Sequence, residues 1–201
     1  VRLALWFVLT YLLGSVPTSF WVARAFGGMD LRTFGSGNLG ATNLYRAMGW
    51  KAAVPVALFD VAKGAIPVAV FASRAGEAAW LPVALGIAAV VGHVYSVFVR
   101  FKGGKGVATA AGVVIVLAPL AFLACAALWA LVLRLSGYMS LASLTAATAF
   151  PVATALLGPD DPYTLALAIV LAAVIIFTHR ANIRRLLDGT EARLGKERPA
   201  T

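Results

Sequence analysis

Long apolar stretches at residues 3–25, 52–73, 79–99, 107–133, 139–157 and 163–178 alternate with short segments rich in glycine, asparagine and basic residues. Most approach the roughly 20 residues that a membrane-spanning helix requires, and the pattern predicts an all-α integral membrane protein. The stretch 107–133 is too long for one crossing, because a helix of that length reaches about 40 Å against a hydrocarbon core of about 30 Å. Pro119 marks the expected break, near Ala118–Pro119, which gives about seven transmembrane helices.

Charge sets the orientation of these crossings, since loop lysines and arginines favour the cytoplasmic side. With the break in place, Arg24, Arg32, Arg46, Lys51, Arg100, Lys102, Lys105 and Arg134 share one side with the tail residues Arg180, Arg184, Arg185, Arg193, Lys196 and Arg198. Arg2 and Arg74 are left opposite, and Lys63 lies within a span. A single crossing over 107–133 would move Arg134 and the tail across and erase the asymmetry. The expected topology is therefore N-terminus outside and C-terminus cytoplasmic, with Glu77, Asp160 and Asp161 in outer loops. The first apolar run is long and carries no clear small-residue cleavage site, so it reads as a span and not as a signal peptide.

Composition agrees with a membrane setting. At 61% hydrophobic and 12% charged residues, a soluble domain would lack the polar side chains to cover its surface. The apolar runs use most of the 201 residues, so residues 1–201 read as one transmembrane domain whose active site is built from helix ends and short loops. The charge of +9 is explained by orientation, and the dispersal of the basic residues argues against nucleic acid as a partner. Cys125 is the single cysteine, which excludes an intramolecular disulfide and gives no support for a cysteine metal cluster. No metal site and no cofactor is expected. No internal repeat is visible, which weakens an inverted-repeat transporter.

Three unusual stretches, residues 34–46, 93–109 and 178–191, fall on the expected cytoplasmic side and place the chemistry there. In the first, Gly35, Gly37 and Gly40 match the G-x-G-x-x-G dinucleotide fingerprint in letters, but the strand and helix that give the pattern force are missing. What survives is anion chemistry, because glycines let backbone N–H groups face an anion and a following helix start adds its positive dipole end. Ser36 and Asn38 add donors, and Arg46 shares a helix face with Thr42 and Asn43 and can meet one phosphate. The alternative is a flexible loop with a snorkelling arginine.

The second stretch is not a Walker A loop: Gly106 follows Lys105 where a Ser or Thr would bind magnesium, and Val99 stands where the first glycine belongs. Gly103, Gly104 and Gly106 around Lys105 still suggest an anion cradle with a cation in reach. A positive-inside anchor would explain the lysines but not the glycines. His93 reads as a hydrogen-bonded packing residue, with Ser96 and Arg100 on its face.

The third stretch leaves the last span as an amphipathic helix with His179 and Asn182 facing the same way. Arg184 and Arg185 read as interfacial anchors, and residues 189–191 end the helix with Glu191 set to orient a cation. Asp60 and Lys63, three apart within a span, read as a structural ion pair, because a lone charge there is expensive. Ser140 and Ser143 share a face as packing hydroxyls or as extra phosphate donors.

Several anion-binding elements at one membrane face suggest two phosphorylated ligands or one ligand with several phosphates, with the helices offering room for an acyl chain. A carrier for a phosphorylated amphiphile would want the same features, whereas a phosphatidyltransferase would need a multiple-aspartate metal motif that is missing. Residues 35–43, 101–109 and 179–191 resemble, in order and spacing, the three signatures of the bacterial PlsY family, and the resemblance covers essentially the whole chain. It implies a multi-pass acyltransferase of the bacterial cytoplasmic (inner) membrane with its active site facing the cytoplasm. The implied reaction moves a fatty acyl group from acyl phosphate to glycerol 3-phosphate and makes lysophosphatidic acid for phospholipid synthesis, with membrane lipids as surroundings. By resemblance and chemistry, Ser36, Lys105 and His179 are expected to be catalytic. Gly37, Asn38, Thr42, Asn43, Arg46, Gly103, Gly104, Gly106, Ser143 and Asn182 are expected to bind substrate. No His-x4-Asp dyad follows His93 or His179, so the soluble acyltransferase mechanism is not expected.

Overall fold

The structure, a computed structural model, describes residues 2–195; the tail charges Lys196 and Arg198 lie outside them. Among the described residues every regular element is helical: α1 (Arg2–Ser15), α2 (Thr18–Gly27), α3 (Ala41–Met48), α4 (Trp50–Ile66), α5 (Ala72–Ala75), α6 (Leu81–Val94), α7 (Val107–Leu117), α8 (Pro119–Ser136), α9 (Met139–Leu157), α10 (Pro162–Thr178) and α11 (Arg180–Leu187), with short 3-10 turns at Leu31–Thr33 and Val97–Val99. A π-helical turn, Pro67–Phe71, fuses α4 and α5 into one helix of 26 residues. Pro67 brings no N–H to the α-helical ladder, which is a local reason for the wider turn.

Trp50–Ala75, Leu81–Val99, Pro119–Ser136 and Met139–Leu157 are long and apolar enough to cross a membrane. Two bent pairs raise the number to six if each is one broken span: α1 with α2, bent by 40°, and α10 with α11, bent by 59°. The first pair corrects the expectation of one unbroken helix over 3–25. Pro17 disfavours helical geometry at Val16 and lacks an N–H of its own, so the helix ends and restarts. The break expected near Ala118–Pro119 is present, with Pro119 at the first position of α8, where no donor is needed. Of the seven expected helices, α7 is the one too short to cross alone: its 11 residues reach only about 16 Å at 1.5 Å per residue.

The chain forms two compact units, one ending at Leu117 and one beginning at Ala118. In the first, α1 packs on α6 and α4 on α7. Both contacts bring backbones together through glycine: a Cβ on Gly14 would strike the Ala89 carbonyl and one on Gly92 the Tyr11 carbonyl, while one on Gly64 would strike Thr109 and one on Gly112 would strike Val61. Lipid offers little hydrophobic drive for helix association, so such close approach supplies the attraction by van der Waals contact. A separate apolar cluster of Ala23, Leu31, Leu39, Leu44, Val56 and Val99 anchors the loop between α2 and α3.

In the second unit, α8 and α9 form a hairpin turned at Gly137, and α10 packs on α9. Asp161 caps α10 by accepting from the N–H groups of Tyr163 and Thr164. Beyond α11 the chain returns to the hairpin: the Leu194 N–H donates to the Gly137 carbonyl at 2.8 Å, and the Arg193 guanidinium lies 5.1 Å above the Tyr138 ring. Leu58, Leu120, Leu135 and Leu156 stand exposed on helix surfaces, as a lipid-facing exterior requires.

Candidate active site

The first glycine-rich loop is organised by Asn43, which points inward from α3 and is 1% exposed. Its Oδ1 accepts from the Ser36 N–H at 3.1 Å, and its Nδ2 donates to the carbonyls of Leu31 at 3.2 Å and Phe34 at 3.0 Å. Gly35 and Gly37 adopt φ of 56° and 69°, the left-handed region that glycine enters without penalty. A side chain at Gly35 would press on Asn43 Oδ1 as well. The Gly37 N–H donates to the Phe34 carbonyl at 2.9 Å. The amides of Ser36 and Gly37, expected to face an anion, are thus engaged within the loop. What the loop presents is the exposed Ser36 side chain, followed by Asn38, Thr42 and Arg46, all half-buried.

Asp30 secures the start of this loop. It accepts from the Arg32 N–H at 3.0 Å and forks with the Arg32 guanidinium, whose Nη2 lies at 2.6 Å. The Arg32 side-chain hydrogen bonds, with its backbone N–H second, hold the Asp30 carboxyl down to about 2.

The second loop folds back on the end of α6. Arg100 and Phe101 take φ of 56° and 59°, uncommon for residues other than glycine, and the reversal brings Gly103 and Gly104 under the helix end. There the Gly103 N–H donates to the Val94 carbonyl at 2.9 Å and the Gly104 N–H to the His93 carbonyl at 3.1 Å. These amides satisfy carbonyls left open at the end of a helix, so they do not form the expected cradle of free donors. The glycines are required for another reason: a Cβ on Gly103 would strike the His93 carbonyl, and one on Gly104 would strike His93 Nε2. Lys105 follows, half-buried, and Gly106 turns the chain into α7 at φ 86°.

Behind this loop lies a buried polar group. Lys63 Nζ is 2.7 Å from Asp60 Oδ1, the ion pair expected from sequence, and it also donates at 2.9 Å to the Val16 carbonyl at the break between α1 and α2. His93 Nδ1 stands 3.9 Å from Asp60 Oδ1, too far for a hydrogen bond, and has no other partner. His93 is therefore packed but not hydrogen-bonded through its ring as expected. A narrow cleft touches residues 16–18, Leu39, this polar group and Gly103 and Gly104. Sequence reasoning did not place His93 against the loop; the available signal was the Gly-Gly pair preceding Lys105 shortly after a helix end bearing a histidine.

In the second unit, His179 closes α10 and Asn182 sits on α11, both buried. His179 Nδ1 lies 2.8 Å from the Ile175 carbonyl, an acceptor, so Nδ1 carries a proton that it donates there. Glu191 gathers this region: its Oε1 accepts from Ser140 Oγ at 2.7 Å and Asn182 Nδ2 at 2.6 Å, and its Oε2 from Arg185 Nε at 2.7 Å. Burial pushes its carboxyl up, but the hydrogen bonds from Ser140, Asn182 and Arg185 outweigh that and hold it below the usual glutamate range. Glu191 thus orients a cation as expected, and the cation is Arg185, which corrects the reading of Arg185 as an interfacial anchor. Arg184 remains exposed, 3.9 Å from Asp188. Ser143 donates to the Met139 carbonyl at 2.9 Å and accepts from Trp129 Nε1 at 3.3 Å. Ser36, Arg46 and Lys105 belong to the first unit, and Ser143, His179 and Asn182 to the second.

Comparison with known proteins supplies the family. The glycerol-3-phosphate acyltransferase family model matches residues 4–189. The chain is 48% identical to the glycerol-3-phosphate acyltransferase of Geotalea daltonii over 181 residues, covering 90% of this chain and 92% of that one. It is 47% identical to the Desulforudis audaxviator glycerol-3-phosphate acyltransferase over 185 residues, covering 92% of each. Among solved structures, it matches the crystal structure of PlsY, an integral membrane glycerol 3-phosphate acyltransferase, in the glycerol 3-phosphate form with a TM-score of 0.89 and 42% identity, covering 97% of this chain and 96% of that one. The lysophosphatidic acid form of PlsY matches with a TM-score of 0.88 and 40% identity over the same shares. A multi-span helical chain with these loops and this likeness along its length belongs to the glycerol-3-phosphate acyltransferase family of bacterial integral membrane enzymes.

Proposed function

We propose that this enzyme transfers a fatty acyl group from acyl phosphate to glycerol 3-phosphate, releasing lysophosphatidic acid and phosphate, with both units serving as one acyltransferase domain. The observation that carries this reading is the likeness, over 97% of the chain, to a PlsY structure in its glycerol 3-phosphate form. The enzyme sits in the bacterial cytoplasmic membrane with its N-terminus outside and its C-terminus and active site on the cytoplasmic side, an odd number of crossings that requires the short α7, with the loop leading into it, to complete a seventh beside the six longer spans. The distribution of Arg24, Arg46, Lys51, Lys105, Arg134 and Arg180 supports that orientation.

Acyl phosphate is an activated mixed anhydride, so binding, orientation and charge neutralisation are large terms in the rate. The glycerol 3-phosphate hydroxyl oxygen attacks the acyl carbonyl, the carbon–oxygen bond to phosphate breaks, and phosphate leaves with the electron pair. A phosphate oxygen of the donor accepts the hydroxyl proton, with His179 Nε2 as the competing base. Arg46 offers a planar fork to one phosphate, Lys105 a point charge, and Ser36 a hydroxyl donor. Asn38, Thr42 and Asn182 add polar contacts. Asn43 acts by shaping the loop, as do Gly37, Gly103, Gly104 and Gly106, and Ser143 turns its hydroxyl from Met139 to donate to a phosphate.

Product analysis of the purified protein in detergent tests the reading. Acyl phosphate with glycerol 3-phosphate is expected to yield lysophosphatidic acid and phosphate in equal amounts, and acyl-CoA to yield none. Acyl transfer from acyl-CoA alone overturns the donor. Movement of substrate across vesicles without any product identifies a carrier instead. For the proton, His179→Ala should lower kcat while leaving the shape of the pH–rate profile intact; near-complete loss of chemistry with substrate still bound makes the histidine the base.

A further inference from the structure

We propose that His93 is a positioning residue for Lys105, setting the place of the second loop from beneath. The inference rests on the reading of Lys105 as a phosphate ligand. His93 holds the loop in two ways at once: its carbonyl accepts the Gly104 N–H, and its ring occupies the space that a side chain on Gly104 would need, with Nε2 nearest. Lys105 is the next residue, and the left-handed turn at Gly106 fixes the chain on its other side. Any shift of the imidazole is passed to the Lys105 backbone within one residue.

The chemistry of the ring supports orientation over space-filling. His93 is 7% exposed, and Nδ1 is buried without a hydrogen bond, which an apolar side chain of similar size would avoid at lower cost. What the imidazole has in exchange is the Asp60 carboxylate 3.9 Å from Nδ1, itself held by Lys63, which is tied to the Val16 carbonyl. The ring is therefore set between a fixed carboxylate on α4 and the loop glycine. The polar chain runs from the helix break at Val16 to the residue preceding Lys105.

A double-mutant cycle on the full-length enzyme tests this, with KM for glycerol 3-phosphate and kcat measured at saturating acyl phosphate, and thermal unfolding measured in parallel. Gly104→Ala places a methyl group against the ring and is expected to raise KM about tenfold or more, and His93→Ala to raise it severalfold. In the double variant the methyl group enters the vacated space, so the combined effect falls short of the product of the two by about fivefold or more, as for residues in contact. His93→Gln, which keeps a polar atom near the place of Nε2, should lie closer to wild type in KM than His93→Ala. If His93→Ala does not survive extraction, His93→Ser opens the same space and completes the cycle. Multiplicative effects, or unchanged KM in folded His93→Ala or His93→Ser, overturn the proposal; a structural role alone would lower the unfolding temperature with KM intact. Lys105→Ala separates the two readings: unchanged KM there overturns Lys105 as a phosphate ligand and this inference with it, whereas a raised KM without His93–Gly104 coupling overturns the positioning role alone.

Discussion

The two glycine-rich loops of the first unit reach a similar end by opposite means. Residues 35–40 are shaped by one side chain, Asn43, whose amide holds two carbonyls and one N–H. Residues 103–106 are shaped by main chain, with glycine amides seated on the last carbonyls of α6 and no side chain allowed between. A loop held by a side chain is undone by subtraction; a loop seated on backbone is undone by addition or by moving its foundation. Glycine serves the first loop chiefly through left-handed φ and the second chiefly through absence of bulk.

The foundation of the second loop should give the largest effect. Lys63→Met leaves the Asp60 carboxylate buried without its partner and the Val16 carbonyl without its donor, and is expected to destabilise by about 3–5 kcal/mol. Adding Asp60→Leu removes the stranded charge and should restore most of that loss. Thermal unfolding of the three proteins in detergent decides it, and a double variant no better than the single contradicts the pairing. Next comes subtraction in the first loop. Asn43→Ala removes three hydrogen bonds worth about 1 kcal/mol each, for about 3 kcal/mol in unfolding, and should lower acyl transfer by about 100-fold or more. Asn43→Asp should rescue little, because a carboxylate cannot donate to the Leu31 and Phe34 carbonyls.

A third, smaller effect contrasts both loops with the side-chain cluster of the second unit. The folded Glu191 carboxyl is held below its ordinary 4.5, so its stabilisation is complete above that value and is lost as pH falls through the folded value. Glu191→Gln should lower stability at neutral pH and flatten its decline below about pH 4.5, read from unfolding curves between pH 3 and 7. An equal acid slope in the variant would remove Glu191 as the hub. The smallest effect is at the reversal of the second loop, where Phe101 has a left-handed φ of 59° and an exposed ring. Phe101→Gly should stabilise by about 0.5–1 kcal/mol or leave stability unchanged, with activity within about twofold of wild type. A marked loss of activity would show that the ring, and not the seat on α6, controls this loop.

Sequence alone determined the helices, the break before Pro119, the pairing of Asp60 with Lys63 and the basic glycine-rich loops, because hydropathy, proline geometry and the cost of a lone charge in a membrane act over a few residues. Only the tertiary structure decided which donors remain available. The amides of Ser36, Gly103 and Gly104 have the same spacing whether they face an anion or another acceptor of the protein, and only the approach of Asn43 and of the α6 end shows that they are engaged. Arg185 turning to Glu191, Ser140 bonding to a carboxylate 51 positions away and Lys63 reaching a carbonyl 47 positions back are likewise invisible to local pattern. Hydrogen bonds across such separations depend on where the packed helices carry each group: for Lys63 that placement follows from the close contacts of Gly14, Gly64, Gly92 and Gly112 and from the Pro17 break, and for Ser140 and Glu191 from the return of the chain beyond α11 to the turn at Gly137.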